Sequence, residues 1–244
     1  MACPDCISGG DDDPSKRTVL LLTDAFGLPL KNCKIMADKF SKILKCDVWI
    51  PDYFNVSIPL NALNVPTKAF YKRSTWDWIR FFAIAITRIP AFISNRPTVV
   101  DKRLESLIAL LREKKKYEKI GAVGYCFGGS ACVRIGGTDL VNSIIIAHPG
   151  KFTLDQVKAI KVPAAWVCAE DDMFFSNTLR NQSEAVFKEK EGKDNFVEYE
   201  FKEYKGTGHG FASRPTLELP EIKAAYEGAF AQTVDWFNKT LAIQ

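Results

Sequence analysis

The feature that most constrains the fold is an alternation, from Val19 onward, between short apolar runs and longer stretches of helical periodicity. Runs that are apolar without interruption are typical of strands covered by helices on both faces of a parallel sheet. The predicted strands are Val19–Thr23, Val48–Pro51, Ile120–Gly124, Ser143–Ala147, Ala164–Ala169 and Phe196–Tyr204. The predicted helices are Cys33–Leu44, Trp76–Ala91, Val99–Lys116, Gly128–Ile135, Ser176–Glu191 and Glu221–Leu241. The pattern predicts a doubly wound α/β fold with a mostly parallel central sheet.

Length and composition indicate a single folded domain. The chain has 244 residues, a size that α/β domains often reach as one unit. Its 47% hydrophobic and 25% charged residues are typical of a globular protein with a buried core. We predict an α/β domain over residues 19–244. Residues 1–18, which contain Gly9-Gly10 and Pro14 and show no periodicity, are predicted to form a flexible N-terminal tail.

Charge and apolar patterning argue against several function classes. The 33 Lys and Arg against 29 Asp and Glu leave a net charge of +4, too small an excess to indicate binding of nucleic acid or an anionic membrane. Charged residues and Pro90 interrupt the most apolar segment, Trp76–Ile93, so it is interpreted as amphipathic helices covering a core or pocket, not a bilayer span. Met1 is followed by Cys and acidic residues, not by a basic region and an apolar stretch, and we therefore expect a cytoplasmic protein.

The cysteines predict neither disulfides nor a metal site. There are seven, an odd number scattered over predicted strands and helices, which fits a reducing compartment. Cys3 and Cys6 form a lone CxxC, and no later pair completes the four ligands of a structural zinc ion. We expect no metal and no other cofactor. The sequence leaves open whether the protein is a monomer or a homodimer.

A predicted strand, a tight glycine turn and a predicted helix follow one another in IGAVGYCFGGSACVRI, residues 120–135. The turn matches the G-x-S-x-G nucleophile elbow with Cys126 in the place of serine. Such a turn strains the backbone of the nucleophile and requires small residues two positions before and after it, here Gly124 and Gly128. A thiol at a helix N-terminus is favoured in its thiolate form. We therefore predict that Cys126 is a nucleophile; the alternative is a small buried cysteine in a tight turn.

The chain has only two histidines, His148 and His209, and both are candidates for the base. In hydrolases with this elbow the order along the chain is nucleophile, acid, histidine. His209 lies between glycines directly after the strand that ends near Tyr204, which predicts a loop at the carboxyl edge of the sheet. We predict that His209 is the base. His148 precedes the candidate acids and is interpreted as a structural or pocket-wall residue that could contact substrate.

Three carboxylates compete for the role of the acid. Glu170, Asp171 and Asp172 directly follow the strand Ala164–Ala169. Only a side chain on the turn beyond the strand can approach the imidazole and hold its tautomer. Spacing favours Asp172 and leaves Asp171 as the alternative.

The same fold predicts an oxyanion hole made of two backbone amides. One amide belongs to the residue after the nucleophile, here Phe127, and the other to the loop after an early strand. That strand is Val19–Thr23, and its loop offers the amide of Ala25.

Four segments together give the chain a specific resemblance to a known family: TDAFG at 23–27, GYCFGG at 124–129, AEDDMF at 169–174 and GTGHGF at 206–211. On these residues the chain resembles the dienelactone hydrolase family, the cysteine branch of the α/β-hydrolases. The resemblance implies a triad of Cys126, Asp172 and His209. It also implies that Asp24, where bacterial members carry a glutamate, supports formation of the thiolate. The two strands that usually precede the first parallel strand have no clear counterpart in residues 1–18.

The resemblance further implies hydrolysis of a small-molecule ester or lactone. Bacterial members bind a substrate carboxylate with an arginine closely after the catalytic histidine. Here the matching position is Ser213 and Arg214 follows it, so Arg214 and Arg80 are candidate substrate-binding residues, with surface solvation as the alternative. A thiolate is a better leaving group than an ordinary alkoxide, so the tetrahedral intermediate reverts unless the substrate's own leaving group is also stabilised. This favours enol lactones and aryl esters over simple alkyl esters.

Two other classes of function remain as alternatives. The first is a catalytically inactive binding or regulatory protein with a hydrolase fold. The second is a thiol redox protein in which Cys126 pairs with Cys132 or with the cysteines of the tail, although six residues across a helix start are an unfavourable pairing geometry.

Overall fold

The computed structural model describes residues 16–54, 74–76, 79, 83, 86 and 93–243. Its strands are β1 (Arg17–Leu22), β2 (Asp47–Trp49), β3 (Lys119–Tyr125), β4 (Ser143–Ala147), β5 (Ala164–Asp171) and β6 (Tyr199–Gly208). Its helices are α1 (Lys31–Leu44), α2 (Pro97–Lys115), α3 (Phe127–Ile135), α4 (Leu154–Lys158), α5 (Asn177–Lys188) and α6 (Pro220–Thr240).

The six strands form one sheet in the order β2-β1-β3-β4-β5-β6, and every neighbouring pair is parallel. This confirms the predicted parallel α/β architecture. The chain leaves β1 toward one edge and returns to β3 on the other side of β1, so a topological switch point lies between these strands. Leu22 pairs with Gly124, which places the loop after β1 beside the turn after β3. Ligands of open α/β sheets bind at such a point, beyond the carboxyl ends of the strands.

The apolar runs are continuous because both faces of the sheet are buried. In β1, Val19 and Leu21 belong to the core beneath α1 and α6, whereas Leu20 and Leu22 belong to the core beneath α2, α3 and α5. All four side chains are fully buried. Trp166 of β5 anchors the second core and stacks on Phe201 with ring centroids 4.9 Å apart.

Several boundaries differ from the sequence predictions. Strand β1 begins at Arg17, within the predicted tail, because Arg17 pairs with Lys119 and Thr18 pairs with Asp47 and Ile120 on the two neighbouring strands. Residues 1–15 lie outside the described residues. Strand β6 is displaced toward the C-terminus and ends at Gly208, because its pairing with β5 continues past a bulge to Asp171.

One helix was missed and another lies mostly outside the described residues. Helix α4 begins at a capping box in which Thr153 and Gln156 exchange side-chain and backbone hydrogen bonds. That box was a readable start signal, but only five helical residues follow it. The predicted helix Trp76–Ala91 falls largely outside the described residues. In the part of the chain that the structure describes, no helix combines the length and apolar character needed to cross a bilayer.

Candidate active site

Cys126 lies in the turn between β3 and α3 with a strained backbone, φ 52° and ψ −108°. Two close backbone approaches enforce this turn. A Cβ on Gly124 would lie 2.1 Å from the Gly128 carbonyl oxygen, and a Cβ on Gly128 would lie 2.2 Å from the Leu22 carbonyl oxygen. Neither contact is possible for a side chain, so the glycine spacing is a geometric requirement of this elbow.

The backbone of Cys126 is fixed on both sides. Its amide donates to the Ala147 carbonyl at 3.1 Å, and its carbonyl accepts from the amides of Ser130 at 3.0 Å and Gly150 at 2.8 Å. The residue itself is partly exposed. The elbow therefore fixes the backbone of a cysteine that is partly exposed.

Among the described cysteines, Cys126 differs from the rest because the others are buried. Burial raises the pKa of Cys46 to about 11 and that of Cys168 to about 12, and it also raises the pKa of Cys33 and Cys132. Cys132 Sγ donates to the Ala122 carbonyl at 3.7 Å inside the core. This placement does not favour the pairing of Cys126 with Cys132 that a redox protein would use.

His209 and Asp172 meet as an oriented pair. The imidazole Nδ1 lies 2.9 Å from both Oδ1 and Oδ2 of Asp172. Oδ1 also accepts the amides of Phe174 at 2.9 Å and Phe175 at 3.2 Å, so the turn after β5 fixes the carboxylate. Of the three candidate acids, Asp172 is the one whose carboxylate contacts the imidazole.

Glu170, one of the three candidate acids, instead supports the segment that precedes His209. Its carboxylate accepts the amide of Gly206 at 2.7 Å, and its own amide donates to Thr207 Oγ1 at 3.3 Å. These bonds fix the chain just before His209. The glycine at 206, which adopts φ 74°, was the signal that this segment turns sharply.

The charge state of His209 follows from its neighbours. Burial lowers its pKa, but electrostatic interactions with Cys126 and Asp172 and the hydrogen bond with Asp172 outweigh burial and raise the pKa to about 10. Nε2 has no hydrogen-bond partner among the described residues. The ring is thus bound to Asp172 through Nδ1, and its interactions with Cys126 and Asp172 favour the protonated form.

The two amides predicted for the oxyanion hole are both unengaged. Neither the amide of Ala25 nor that of Phe127 donates a hydrogen bond to another described residue. The Gly128 amide donates to the Thr23 carbonyl at 3.1 Å and ties the loop after β1 to the elbow. Two free N–H groups thereby lie on connected, fixed loops beside Cys126.

Asp24 and Arg214 contact each other, although the sequence analysis assigned them separate roles. Asp24 is 1% exposed, and its Oδ1 accepts the amide of Phe26 at 3.0 Å. Oδ2 accepts Ser213 Oγ at 3.1 Å and Arg214 Nε at 3.2 Å. This carboxylate thus accepts hydrogen bonds from its own turn and from the loop after His209, and none from Cys126.

His148 lies against the ring of His209 and is fully buried. Their ring centroids are 5.2 Å apart in an edge-to-face arrangement, and His148 has φ 32°. Burial, followed by the charges of His209 and Arg214, lowers its pKa well below the usual value, so the ring is neutral. Neither ring nitrogen has a partner among the described residues. The structure therefore places His148 in the interior, packed against the ring of His209.

Arg80, the other candidate for binding a substrate carboxylate, lies outside the described residues. Within the described ranges, no group of three or more His, Cys, Asp or Glu side chains could hold a metal ion.

Comparison with known proteins decides the family. The model of the dienelactone hydrolase family matches residues 69–241. The chain belongs to the dienelactone hydrolase family. It is 31% identical over 233 residues to the hydrolase tropI of Talaromyces stipitatus, an alignment that covers 93% of this chain and 84% of that protein. It is 23% identical over 235 residues to the carboxymethylenebutenolidase homolog of Mus musculus, an alignment that covers 91% of this chain and 82% of that protein.

Solved structures give the same fold. A putative dienelactone hydrolase from Klebsiella pneumoniae superposes with a TM-score of 0.68 at 9% identity, covering 94% of this chain and 89% of that one. The predicted family resemblance and the α/β-hydrolase fold are confirmed. The family match and the relatives identify this dienelactone hydrolase family member as a hydrolase.

Proposed function

We propose that this dienelactone hydrolase family member hydrolyses activated carboxylic esters or lactones with Cys126 as nucleophile, His209 as base and Asp172 as acid. One observation carries the proposal. Cys126, partly exposed at a strained elbow, interacts electrostatically with the imidazole of His209, which the Asp172 carboxylate binds at Nδ1. This is the arrangement of an activated nucleophile, its base and the group that orients the base.

Acylation uses the thiolate and the two free amides. The Cys126 thiolate attacks the acyl carbon, a C–S bond forms, and the electron pair of the carbonyl bond moves to its oxygen. The amides of Ala25 and Phe127 donate to that oxyanion, and each such donor is worth about 2.7 to 4 kcal/mol in comparable sites. The intermediate collapses, the C–O bond to the alcohol breaks, and the leaving oxygen takes the proton from His209 Nε2.

Deacylation returns the enzyme to its starting state. His209 Nε2 removes a proton from water, and the resulting hydroxide attacks the thioester carbon. The C–S bond breaks, the carboxylic acid leaves, and the thiolate and imidazolium are restored. Asp172 keeps Nδ1 protonated through both steps and compensates the charge on the ring.

The nucleophile sets the substrate class. A thiolate leaves a tetrahedral intermediate more readily than an ordinary alkoxide, so reaction goes forward when the substrate's own leaving group is stabilised. Enol lactones and aryl esters satisfy this condition. The name carboxymethylenebutenolidase homolog, carried by the mouse relative, supports a lactone among the substrates. The buried free thiols fit a reducing compartment, and we propose a cytoplasmic location.

A screen of aryl esters and lactones with two cysteine variants tests this function. Cys126→Ala is expected to lower kcat/KM by at least about 1,000-fold on every substrate that the wild type cleaves, because the bond-forming atom is gone. Cys46→Ala, which removes a buried thiol of the core beneath α1 and α6, is the matched control and should retain activity. Undiminished hydrolysis by Cys126→Ala would contradict the proposal.

A further inference from the structure

The two edges of the sheet differ in length. At one edge, β2 has only three residues, Asp47–Trp49. At the other edge, β6 has ten residues, Tyr199–Gly208, and pairs with β5 on its inner side. A long edge strand presents a row of unpaired N–H and C=O groups to any strand that can align with it, whereas a very short one does not. The outer side of β6 is therefore a candidate interaction surface.

Alternate residues of β6 direct their backbone groups away from the sheet. The Ala164 amide of β5 donates to the carbonyl of Glu198 at 3.0 Å, so Glu198 faces β5. Since successive strand residues face opposite sides, Tyr199, Phe201 and Glu203 face outward. The outward amides and carbonyls of these three residues have no hydrogen-bond partner among the residues that the structure describes. These groups are available to a further strand.

The side chains along this edge carry opposite charges on one face and an aromatic ring on the other. Glu200 and Lys202 are exposed on the face beneath α6, where Glu200 accepts a hydrogen bond from Gln232 at 2.9 Å. On the opposite face, Phe201 is partly exposed and stacks on Trp166 with ring centroids 4.9 Å apart. A strand that aligns with β6 would thus meet a glutamate and a lysine two residues apart.

These charges select one antiparallel alignment with a second copy of the strand. Two identical strands related by a two-fold axis place residues opposite each other at equal distances from the axis. An axis at Phe201 puts Glu200 opposite the partner's Lys202, and symmetry repeats this contact. An axis at any of the charged positions 200, 202 and 203 puts that charge opposite its own copy, and an axis at Tyr199 puts Glu198 opposite the partner's Glu200. Opposite charges directly across two strands stabilise the pairing, and like charges destabilise it.

From these observations we infer that two copies of this chain associate through the outer side of β6, antiparallel about a two-fold axis at Phe201. The outward backbone groups of Tyr199, Phe201 and Glu203 bond to those of the second copy, and the two sheets become one continuous sheet. The inference goes beyond the proposed function, because it concerns the assembly of the chain and not the reaction. A contact of one strand is small beside the about 1,200 to 2,000 Å² of standard interfaces, so we expect reversible association with a Kd of about 1 to 100 µM.

Sedimentation velocity at concentrations below and above this range tests the association. The wild type should change from monomer to dimer as its concentration rises. Lys202→Glu puts like charges into both symmetric contacts and should weaken association by at least about fourfold, and Glu200→Lys should do the same. Lys102→Glu, a charge reversal at an exposed position of α2, is the matched control and should associate as the wild type does. A wild type that is monomeric at every concentration, or an association that Lys202→Glu leaves unchanged, would overturn the inference.

Mixing the two variants tests the alignment itself. Lys202→Glu has two negative charges at positions 200 and 202, and Glu200→Lys has two positive ones, so the mixed pair again has opposite charges across the axis at Phe201. An equimolar mixture should associate more tightly than either variant alone, and so should the double variant Glu200→Lys with Lys202→Glu. Equal association of the mixture and the separate variants would contradict this alignment. Circular dichroism and thermal unfolding check that each variant folds.

Amide hydrogen exchange locates the contact in the wild type. The outward amides of Tyr199, Phe201 and Glu203 should exchange more slowly at high than at low protein concentration, because carbonyls of the second copy accept them. The amides of Glu200 and Lys202, which face β5, should change less. Slowing confined to another part of the molecule would place the interface elsewhere and overturn the inference.

Discussion

Two buried carboxylates lie at the carboxyl edge of the sheet, and they have different partners. Asp172, after β5, contacts the imidazole of His209, whereas Asp24, after β1, contacts the guanidinium of Arg214. Both carboxylates also accept backbone amides of their own turns. The partner of each carboxylate determines whether the pair can transfer a proton. An imidazole bound at one nitrogen can transfer a proton at the other, but a guanidinium holds its protons at any physiological pH. The first pair therefore suits chemistry and the second suits stability.

The largest expected effect follows from changing the first pair. Asp172→Asn should lower kcat by about 1,000- to 10,000-fold, since the amide no longer holds Nδ1 protonated and directs the wrong tautomer toward the thiol. Steady-state kinetics on an aryl ester measure the loss, and circular dichroism checks the fold. A decrease of less than tenfold would mean that Asp172 does not orient the base.

Changing the second pair should affect stability more than catalysis. Arg214→Gln is expected to lower the free energy of unfolding by about 3 kcal/mol, because it leaves the Asp24 carboxylate buried without a counter-charge. Urea unfolding provides the measurement. The double variant Asp24→Asn with Arg214→Gln is the control, and it should recover part of the loss since no unpaired charge remains. If the single variant were as stable as the wild type, the internal ion pair would have no structural role.

The pair of Asp172 and His209 should also make the stability of the protein depend on pH. His209 has a pKa of about 10 in the folded protein against an ordinary value of 6.5, so folding favours the protonated ring. That stabilisation is fully present below about pH 6.5 and is lost as the pH rises toward about 10. Unfolding free energies measured from pH 6 to pH 10 should fall more steeply for the wild type than for His209→Gln. Parallel curves would show that His209 is not protonated in this range.

The smallest effect is expected from Glu170, which holds the chain before His209 without contacting it. Glu170→Gln retains an acceptor for the Gly206 amide but loses the charge, so we expect a decrease in stability of about 1 kcal/mol. The kcat should fall by less than about fivefold. A loss of kcat as large as that of Asp172→Asn would give Glu170 a direct part in the chemistry.

Local patterns made much of this fold and site predictable. The elbow depends on glycines two positions before and after Cys126, and continuous apolar runs are a direct consequence of a sheet buried on both faces. Chain order and the scarcity of histidine were enough to select His209 as the candidate base. Each of these signals is contained in a short segment.

The remaining features depend on contacts between distant segments. Asp24 and Arg214 are 190 residues apart in the chain, and no local pattern indicates that they form an ion pair. The edge-to-face contact of His148 with His209 likewise requires β4 and the loop after β6 to meet. The end of β6 was placed too early because pairing with β5 resumes at Gly208, after an irregularity at residues 205–207 of β6, and this extends the strand past its apolar residues.

The central claim is that Cys126 carries the acyl group during turnover. Wild-type protein mixed with an aryl ester, quenched with acid and digested should yield a peptide containing Cys126 whose mass is increased by that of the acyl group. The Cys126→Ala variant should yield no such adduct. The account would be contradicted if the Cys126 peptide carried no acyl group while the wild type turns over the ester. It would also be contradicted if another residue carried the acyl group and released it at the rate of turnover.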